Sequence, residues 1–195
     1  MSQQDQKKWD EKYRKKSELL RPREASLNIQ KFVEKSIGDK ALDLACGAGR
    51  NTIYLAKQGY AVDALDIAAV ALEALVAEAH REEVHELINA QLSDLDTFAP
   101  ALESYELIIM MNFLDRGLIK RAKEGLKKEG LFIVETYMDD SINEKKDSNR
   151  EFLLKKEELK TIFDKGYDVL LYEEFENEAH ELYRMKKQAI VVRKR

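Results

Sequence analysis

Short apolar runs alternate with amphipathic stretches along most of the chain. Residues 41–46 and 60–66 are mostly apolar, which predicts two buried strands. Each run is followed by residues with helical spacing, at 51–58 and 68–82. Strands and helices that alternate in this way form a parallel sheet with helices on both faces. The pattern therefore predicts an α/β, doubly wound fold.

The C-terminal half continues this alternation and then changes. Strands are predicted at residues 85–92, 105–111, 130–136, 167–175 and 188–193, and helices at residues 115–128 and 152–164. The last two strands are too close in sequence for a helical crossover, so they should form an antiparallel hairpin at one edge of the sheet. We expect a seven-stranded, mostly parallel sheet with one reversed strand.

The N-terminal stretch is polar except for two aromatic residues. Trp9 and Tyr13 are four residues apart and would share one face of a helix. Residues 25–37 also have a helical pattern, which Gly38 ends. We expect residues 1–37 to form a helical cap on a single domain of residues 1–195. The aromatic pair could pack on the surface of the domain or cover a ligand, and the sequence leaves both open.

Composition narrows the function classes. The chain has 195 residues, 44% of them hydrophobic, with Lys plus Arg 33 against Asp plus Glu 37 and a net charge of -4. This balance lacks the basic footprint of a nucleic-acid-binding protein, and no apolar run is long enough for a membrane helix. The first residues lack the apolar centre of a signal peptide, and a single cysteine excludes an intrachain disulfide. We expect a cytoplasmic protein with neither nucleic acid nor a membrane as partner.

The first predicted strand ends at the glycine turn Gly47-Ala48-Gly49, which leads into a helix. Backbone N–H groups at the start of a helix suit a nucleotide or another anionic group. A dinucleotide fingerprint would require glycine or alanine at position 52, where the chain has Thr52, and no P-loop motif occurs. An NAD-dependent oxidoreductase therefore remains only a weaker alternative.

One acidic residue ends the second predicted strand, and another follows the third. Asp66 stands where a carboxylate accepts hydrogen bonds from ribose hydroxyls. Asp94 stands where a carboxylate would accept from an adenine amino group, with Leu95 beside the ring, although Asp94 could also cap a helix. Together with the glycine turn, these residues favour an adenosine-containing ligand.

Residues 41–51, 62–66, 93–95 and 105–109 resemble the motifs of the class I S-adenosylmethionine-dependent methyltransferases. Within that family, the likeness is greatest to small bacterial enzymes of the tellurite-resistance methyltransferase type. It is carried by Gly-Arg-Asn-Thr-Ile-Tyr-Leu-Ala at residues 49–56, by Trp9 and Tyr13, by Phe-Leu-Leu-Lys at residues 152–155, and by the length of the chain. The resemblance implies a Rossmann-like methyltransferase fold, S-adenosyl-L-methionine as cofactor and S-adenosyl-L-homocysteine as product.

The resemblance also implies a set of cofactor-binding residues. They are Tyr13, Asp43, Ala45, Cys46, Gly47, Ala48, Gly49, Asn51, Asp66, Ile67, Ser93, Asp94, Leu95, Asn112 and Phe113. The chain departs from the family pattern at Ala45, where the first glycine of the loop is common. The added methyl group is a modest change if φ is negative at that residue. We interpret Cys46, inside the same loop, as a small packed residue rather than a nucleophile.

The sequence contains fewer signals for the methyl acceptor than for the cofactor. The chain has no spare thiol for covalent pyrimidine chemistry, and residues 111–114 lack the Asn/Asp-Pro-Pro-aromatic motif of base amino methyltransferases. We expect a small-molecule acceptor, such as a thiol or a chalcogen oxyanion like tellurite, and a monomer or homodimer. Candidate catalytic residues are His180, Arg184 and Tyr137, with residues 137–150 as a candidate lid.

Two further expectations complete the sequence-based view. The histidines are scattered and the chain has one cysteine, so no metal site is expected. Because no catalytic base is obligatory, a module that holds S-adenosylmethionine or S-adenosylhomocysteine without turnover is the alternative to an enzyme.

Overall fold

The structure is a computed structural model that describes residues 3–177 and 183–195. Its single seven-stranded sheet has the order β3-β2-β1-β4-β5-β7-β6. The strands are β1 (Lys40–Leu44), β2 (Ala61–Asp66), β3 (Ile88–Leu92), β4 (Tyr105–Met111), β5 (Leu126–Tyr137), β6 (Tyr167–Glu176) and β7 (Lys186–Lys194). Strands β1 to β5 pair in parallel, and β7 runs antiparallel to both β5 and β6. The predicted α/β sheet with one reversed strand is confirmed.

The helices connect the strands on both faces of the sheet. They are α1 (Gln3–Lys15), α2 (Leu27–Phe32), α3 (Arg50–Lys57), α4 (Ala69–Arg81), α5 (Arg116–Gly125) and α6 (Glu158–Ile162). Short 3-10 turns lie at Ser17–Leu20, Val33–Lys35, His85–Leu87 and Arg150–Phe152. Helix α5 begins where Asp115 accepts the Leu118 N–H at 2.7 Å, and it ends at Gly125, earlier than its apolar spacing predicts.

Alternating side chains of the central strands build one apolar core on each face. Ile108 and Phe132 point into the core that contains α5, whereas Ile109 and Ile133 point into the core that contains α2 and α3. All four side chains are fully buried. This double packing explains why β4 and β5 are apolar at nearly every position.

The long helix predicted for residues 152–164 is wrong. Leu154 donates its N–H to the Tyr137 carbonyl at 3.0 Å, so it does not bond within a helix. Arg116 donates to the carbonyls of Glu151 and Leu153 at 2.7 and 3.0 Å. Because these carbonyls are taken by another element, residues 153–157 stay non-helical after the 3-10 turn that ends at Phe152, and α6 begins only after Glu157, which has a φ of 57°.

Candidate active site

The glycine turn joins β1 to α3 through three residues in the left-handed region. Ala45, Gly47 and Gly49 have φ values of 58°, 56° and 80°. The Cys46 N–H donates to the Leu65 carbonyl at 3.0 Å, which holds the turn against β2. This conformation brings the backbone of the turn to the carboxyl edge of the sheet, at the start of α3.

Ala45 has a positive φ of 58°. The alanine would be a modest change from glycine only at a negative φ, because a residue with a Cβ is disfavoured in the left-handed region. Glycine would meet this conformation without steric cost. The turn therefore carries local strain at the residue that departs from the family pattern.

Asp66 lies beside the turn at the end of β2. Its Oδ2 accepts the Gly47 N–H and its Oδ1 accepts the Ala68 N–H, each at 2.8 Å. Burial raises the pKa of this carboxyl, although the two backbone hydrogen bonds oppose the rise. The predicted neighbours, the glycine turn and the acid of β2, thus meet directly.

Asp43 of β1 binds Thr52 of α3 and so connects the two elements that flank the glycine turn. Its Oδ2 accepts the Thr52 hydroxyl at 2.6 Å, and its side chain is almost fully buried. Burial raises the pKa of Asp43 to about 7. Burial also raises the pKa of the Cys46 thiol well above its usual value, so the thiol stays neutral, as a packed residue should.

Helix α1 covers the glycine turn. The Trp9 and Tyr13 ring centroids are 6.4 Å apart, and the Tyr13 hydroxyl lies 2.8 Å from the position that a Cβ on Gly47 would take. Burial raises the pKa of Tyr13, so its hydroxyl stays neutral. Asp10 accepts the Val70 N–H at 3.0 Å and so docks α1 on the first turn of α4, whose own cap residue Ala68 lacks a capping side chain.

The residues predicted around an adenine ring follow β3. Ser93 donates its N–H to the Asp66 carbonyl at 2.9 Å, and Asp94 accepts the Asp96 N–H at 2.9 Å, which forms a local turn. Leu95 is buried in the core that contains α5. Ile67 is buried beside Asp66. Asp94 therefore lies close to Asp66 at the carboxyl ends of the strands. Its contact with an adenine amino group stays a prediction.

The predicted pocket residues beyond β4 and β5 lie on the other side of the turn. Asn112 has a φ of 57° and donates its N–H to the Glu135 carbonyl at 2.7 Å. Phe113 is half-buried against the apolar core. Tyr137 is the last residue of β5, and the Lys187 ammonium lies 5.0 Å from its ring centroid.

Of the two catalytic candidates predicted between the last two strands, Arg184 and His180, only Arg184 lies in the described part of the structure. Arg184 Nε lies 3.0 Å from Glu176 Oε2, and both side chains are more than half exposed. His180 falls outside the described residues. Residues of the predicted lid, among them Asp140, Lys145 and Arg150, line a polar cavity of about 380 Å³.

A cluster of four buried polar residues was not predicted from the sequence. It consists of Ser26, Asn28, Glu135 and Lys187, and we call it the polar floor. Glu135 Oε1 lies 3.5 Å from Lys187 Nζ, and Glu135 Oε2 accepts the Ser26 hydroxyl at 3.0 Å. The signal in the sequence was Glu135 itself, an acid that directly follows Ile133 and Val134 in a buried strand. Its partners are too distant in sequence for a local pattern to reveal.

Asn51 contacts this group from the first turn of α3. Its Oδ1 accepts the Ser26 N–H at 3.0 Å. Asn28 donates to Glu135 at 3.4 Å and to Glu173 at 2.9 Å. The N-terminal end of α2, together with its cap residue Ser26, is therefore tied to α3, β5 and β6 at once.

Neither a group of metal-binding side chains nor a membrane-spanning helix occurs among the described residues. Among residues 3–177 and 183–195, no three His, Cys, Asp or Glu side chains are grouped to hold a metal ion. None of the helices in those ranges has both the length and the apolar character needed to cross a membrane.

Comparisons with known proteins identify a family and a shared fold. A family model described as tellurite resistance protein TehB matches residues 6–193. The crystal structure of TehB from Haemophilus influenzae is 25% identical, with a TM-score of 0.76, over 88% of this chain and 63% of that chain. The chain thus spans less than two thirds of the length of that relative. A search of curated protein sequences found no match.

More distant structures share the fold. A SAM-dependent methyltransferase from Methanosarcina mazei is 16% identical, with a TM-score of 0.69, over 88% of this chain and 99% of that chain. The glycopeptide N-methyltransferase MtfA, crystallised with S-adenosylmethionine, is 18% identical, with a TM-score of 0.62, over 87% of this chain and 86% of that chain.

Proposed function

The chain belongs to the family of the tellurite resistance protein TehB, and we propose that it is an S-adenosylmethionine-dependent methyltransferase acting on a small molecule. The observation that carries this proposal is the contact between the Gly47 N–H and the Asp66 carboxylate, at 2.8 Å. It joins a backbone that a ligand can approach closely to a carboxylate that can accept from ribose hydroxyls.

The residues at this edge fit the cofactor. Gly47 has no side chain, and the Tyr13 hydroxyl lies 2.8 Å from the position that a Cβ would take, so the methionine part of a cofactor bound at this turn would lie against Tyr13. Asp66 would accept hydrogen bonds from the ribose, and Asp94 from the adenine amino group. Tyr13, held over the turn by α1, would cover the bound molecule and exclude water.

The cofactor supplies a methyl group on a sulfonium centre when it is bound. The protein then has to align the acceptor with that methyl group and keep water out. Asn112, Phe113 and Tyr137 follow β4 and β5, at the edge where open α/β sheets bind ligands. We place the acceptor on this side, next to the polar floor.

The acceptor remains part of the proposal. The family name keeps a chalcogen oxyanion such as tellurite among the candidates. A glycopeptide N-methyltransferase with the same fold shows that the fold also accommodates much larger acceptors. A cytoplasmic location, a single domain and a monomeric or homodimeric state stay predictions.

The proposed activity can be tested by incubating the purified chain with methyl-labelled S-adenosylmethionine and a small-metabolite extract of bacterial cells. We expect label in a small molecule, together with an equal amount of S-adenosylhomocysteine. The Asp66→Ala variant should lose most of this transfer. Binding of S-adenosylmethionine without any transfer would instead identify a module that holds the cofactor without turnover.

A further inference from the structure

Lysine side chains line one face of helix α1. Lys8, Lys12 and Lys16 are spaced four residues apart, so they lie on the same face over about 12 Å of the helix axis. Lys16 extends this face just beyond the helix, since its N–H donates to the Lys12 carbonyl at 2.9 Å. Together with Glu11 and Lys15, the three lysines line a cavity of about 260 Å³. This face is cationic on a chain whose net charge is -4.

The candidate lid brings further cations to this face of α1. Lys145, Lys146 and Arg150 line the cavity of about 380 Å³ in the lid. Lys145 lies close enough to Lys12 for the two ammonium groups to repel each other. Because surface charges are screened beyond about 10 Å, the two cavities are neighbours at this pair of residues. We call the following residues the lysine cluster: Lys8, Lys12, Lys16 and Lys145.

Lys12 is the member of the cluster whose charge is least stabilised. Its Nζ lies 3.9 Å from the centroid of the Trp9 ring. Desolvation of the ammonium group, and then repulsion by the other three lysines, lower the pKa of Lys12 to about 8. An anion beside Lys12 would supply the missing hydrogen-bond acceptor and offset the repulsion. The cluster therefore favours the binding of an anion.

The carboxylates that line the two cavities have other cations as partners. Glu11 lies 3.9 Å from Lys15, Asp139 lies 3.7 Å from Arg150, and Asp140 lies 3.2 Å from Lys186. Within residues 3–177 and 183–195, no carboxylate forms an ion pair with the lysine cluster. Residues 1–2 and 178–182 lie outside the described ranges, and the site that we infer includes none of them.

The lysine cluster connects two segments that border the candidate active site. Helix α1 carries Tyr13 over the glycine turn. The base of the candidate lid is fixed, because the buried Asn143 side chain donates to the Met138 carbonyl and accepts the Lys186 N–H, each at 2.8 Å. An anion bound to both α1 and the lid would thus tie the helix to a fixed segment. It would hold Tyr13 over the turn.

We propose that the lysine cluster binds a small oxyanion between α1 and the candidate lid, and that this binding strengthens the binding of S-adenosylmethionine. The second part rests on the proposed function. Coupling between two sites is reciprocal, so the cofactor should strengthen the binding of the oxyanion by the same factor. The same chemistry fits an oxyanion that accepts the methyl group and an inorganic anion that is not methylated.

The first test measures the binding of oxyanions without the cofactor. The purified chain would be titrated by calorimetry with inorganic phosphate and with tellurite at low chloride concentration. We expect at least one of them to bind with a Kd of about 1 mM or lower. If neither oxyanion binds the folded chain, the proposal is overturned. This test does not depend on S-adenosylmethionine, so its failure is distinct from failure of the proposed function.

Variants locate the bound oxyanion. Lys12→Gln and Lys145→Gln should each weaken its binding about threefold or more, because each removes a cation from the site. Both side chains are exposed, so the variants should fold. Lys7→Gln is the matched control, since Lys7 is exposed on the same helix but lines neither cavity, and it should leave the affinity unchanged. Unchanged affinity in both Lys12→Gln and Lys145→Gln would refute the site.

Competition separates the two sources of the oxyanion. Tellurite that displaces phosphate and then receives the label from methyl-labelled S-adenosylmethionine would identify the bound oxyanion as the acceptor. Phosphate that binds, and that tellurite does not displace, would identify an anion that is not methylated. Either result supports the site, provided that Lys12→Gln and Lys145→Gln weaken the binding.

The second test measures the coupling. Saturation with the oxyanion that binds should lower the Kd for S-adenosylmethionine about fivefold or more. Lys145→Glu places a carboxylate beside Lys12, so this variant should bind the cofactor tightly without any oxyanion. An equal affinity for the cofactor with and without the oxyanion would overturn the coupling. A chain that binds the oxyanion but no S-adenosylmethionine would instead contradict the proposed function.

Discussion

The cofactor side and the acceptor side of the candidate site are assembled from different parts of the chain. On the cofactor side, the glycine turn and Asp66 belong to one β-α-β unit, and the Gly47 N–H meets a carboxylate 19 residues away. On the acceptor side, Ser26 and Glu135 are 109 residues apart, and Lys187 comes from the last strand. The first side is fixed by local backbone geometry, whereas the second depends on the whole sheet being formed.

The energetic consequences differ as well. The cofactor side relies on backbone N–H groups and left-handed residues, whose individual contributions are small. The acceptor side holds a buried ion pair, in which the loss of one partner leaves an uncompensated charge. Substitutions on the acceptor side should therefore affect folding most, and those on the cofactor side should affect ligand affinity.

The largest effect is expected for Lys187→Ala. It leaves the Glu135 carboxylate buried without its cation, so the free energy of unfolding should fall by about 3 to 5 kcal/mol in urea titrations. The Glu135→Leu and Lys187→Met double variant should recover most of this loss. A loss below about 1 kcal/mol for Lys187→Ala would show that the pair is hydrated and that the contrast between the two sides is wrong.

Asp43 should make stability depend on pH. Burial raises its pKa from 3.8 to about 7, so the folded state binds the proton more tightly than the unfolded state. Its contribution to the free energy of unfolding is therefore present below about pH 4 and is lost as the pH rises to about 7, by up to about 4 kcal/mol. Asp43→Asn should lack this part of the slope in urea titrations across that range. Parallel curves for the two proteins would show that Asp43 is ionised throughout.

Asp66→Ala should weaken the binding of S-adenosylmethionine tenfold or more, or about 1.5 to 3 kcal/mol, because it removes an acceptor for the ribose hydroxyls. The matched control is Asp63→Asn on the same strand. Asp63 accepts the Tyr105 hydroxyl at 2.7 Å and has no described contact with the glycine turn. Titration calorimetry should give an unchanged affinity for the control. An unchanged affinity for Asp66→Ala would refute the ribose role.

The smallest effect is expected for Ala45→Gly. Glycine removes the strain of a φ of 58° but adds chain entropy to the unfolded state, so the unfolding free energy should rise by about 0.5 to 1 kcal/mol. Ala41→Gly, in β1, has no such strain to remove and should lower it by a similar amount. Thermal unfolding of both variants would measure the difference, and destabilisation by Ala45→Gly would contradict the strain at the turn.

The same contrast explains how much of the molecule could be predicted. Gly47, Gly49 and Asp66 were identified because a strand, a turn and a helix follow one another within a short stretch. The polar floor was missed because no local period connects Ser26 to Glu135 and Lys187. The helix expected at residues 152–164 failed for a related reason, since its carbonyls are taken by Arg116 from α5. Contacts between distant elements decided each of these outcomes.

The central claim is that the glycine turn and Asp66 bind S-adenosylmethionine. Calorimetric titration of the purified chain with S-adenosylmethionine, S-adenosylhomocysteine and NAD tests it most directly. We expect micromolar binding of the two sulfur compounds and none of NAD. A folded protein that binds neither sulfur compound, or that binds NAD more tightly, would contradict the claim and leave only the α/β fold established.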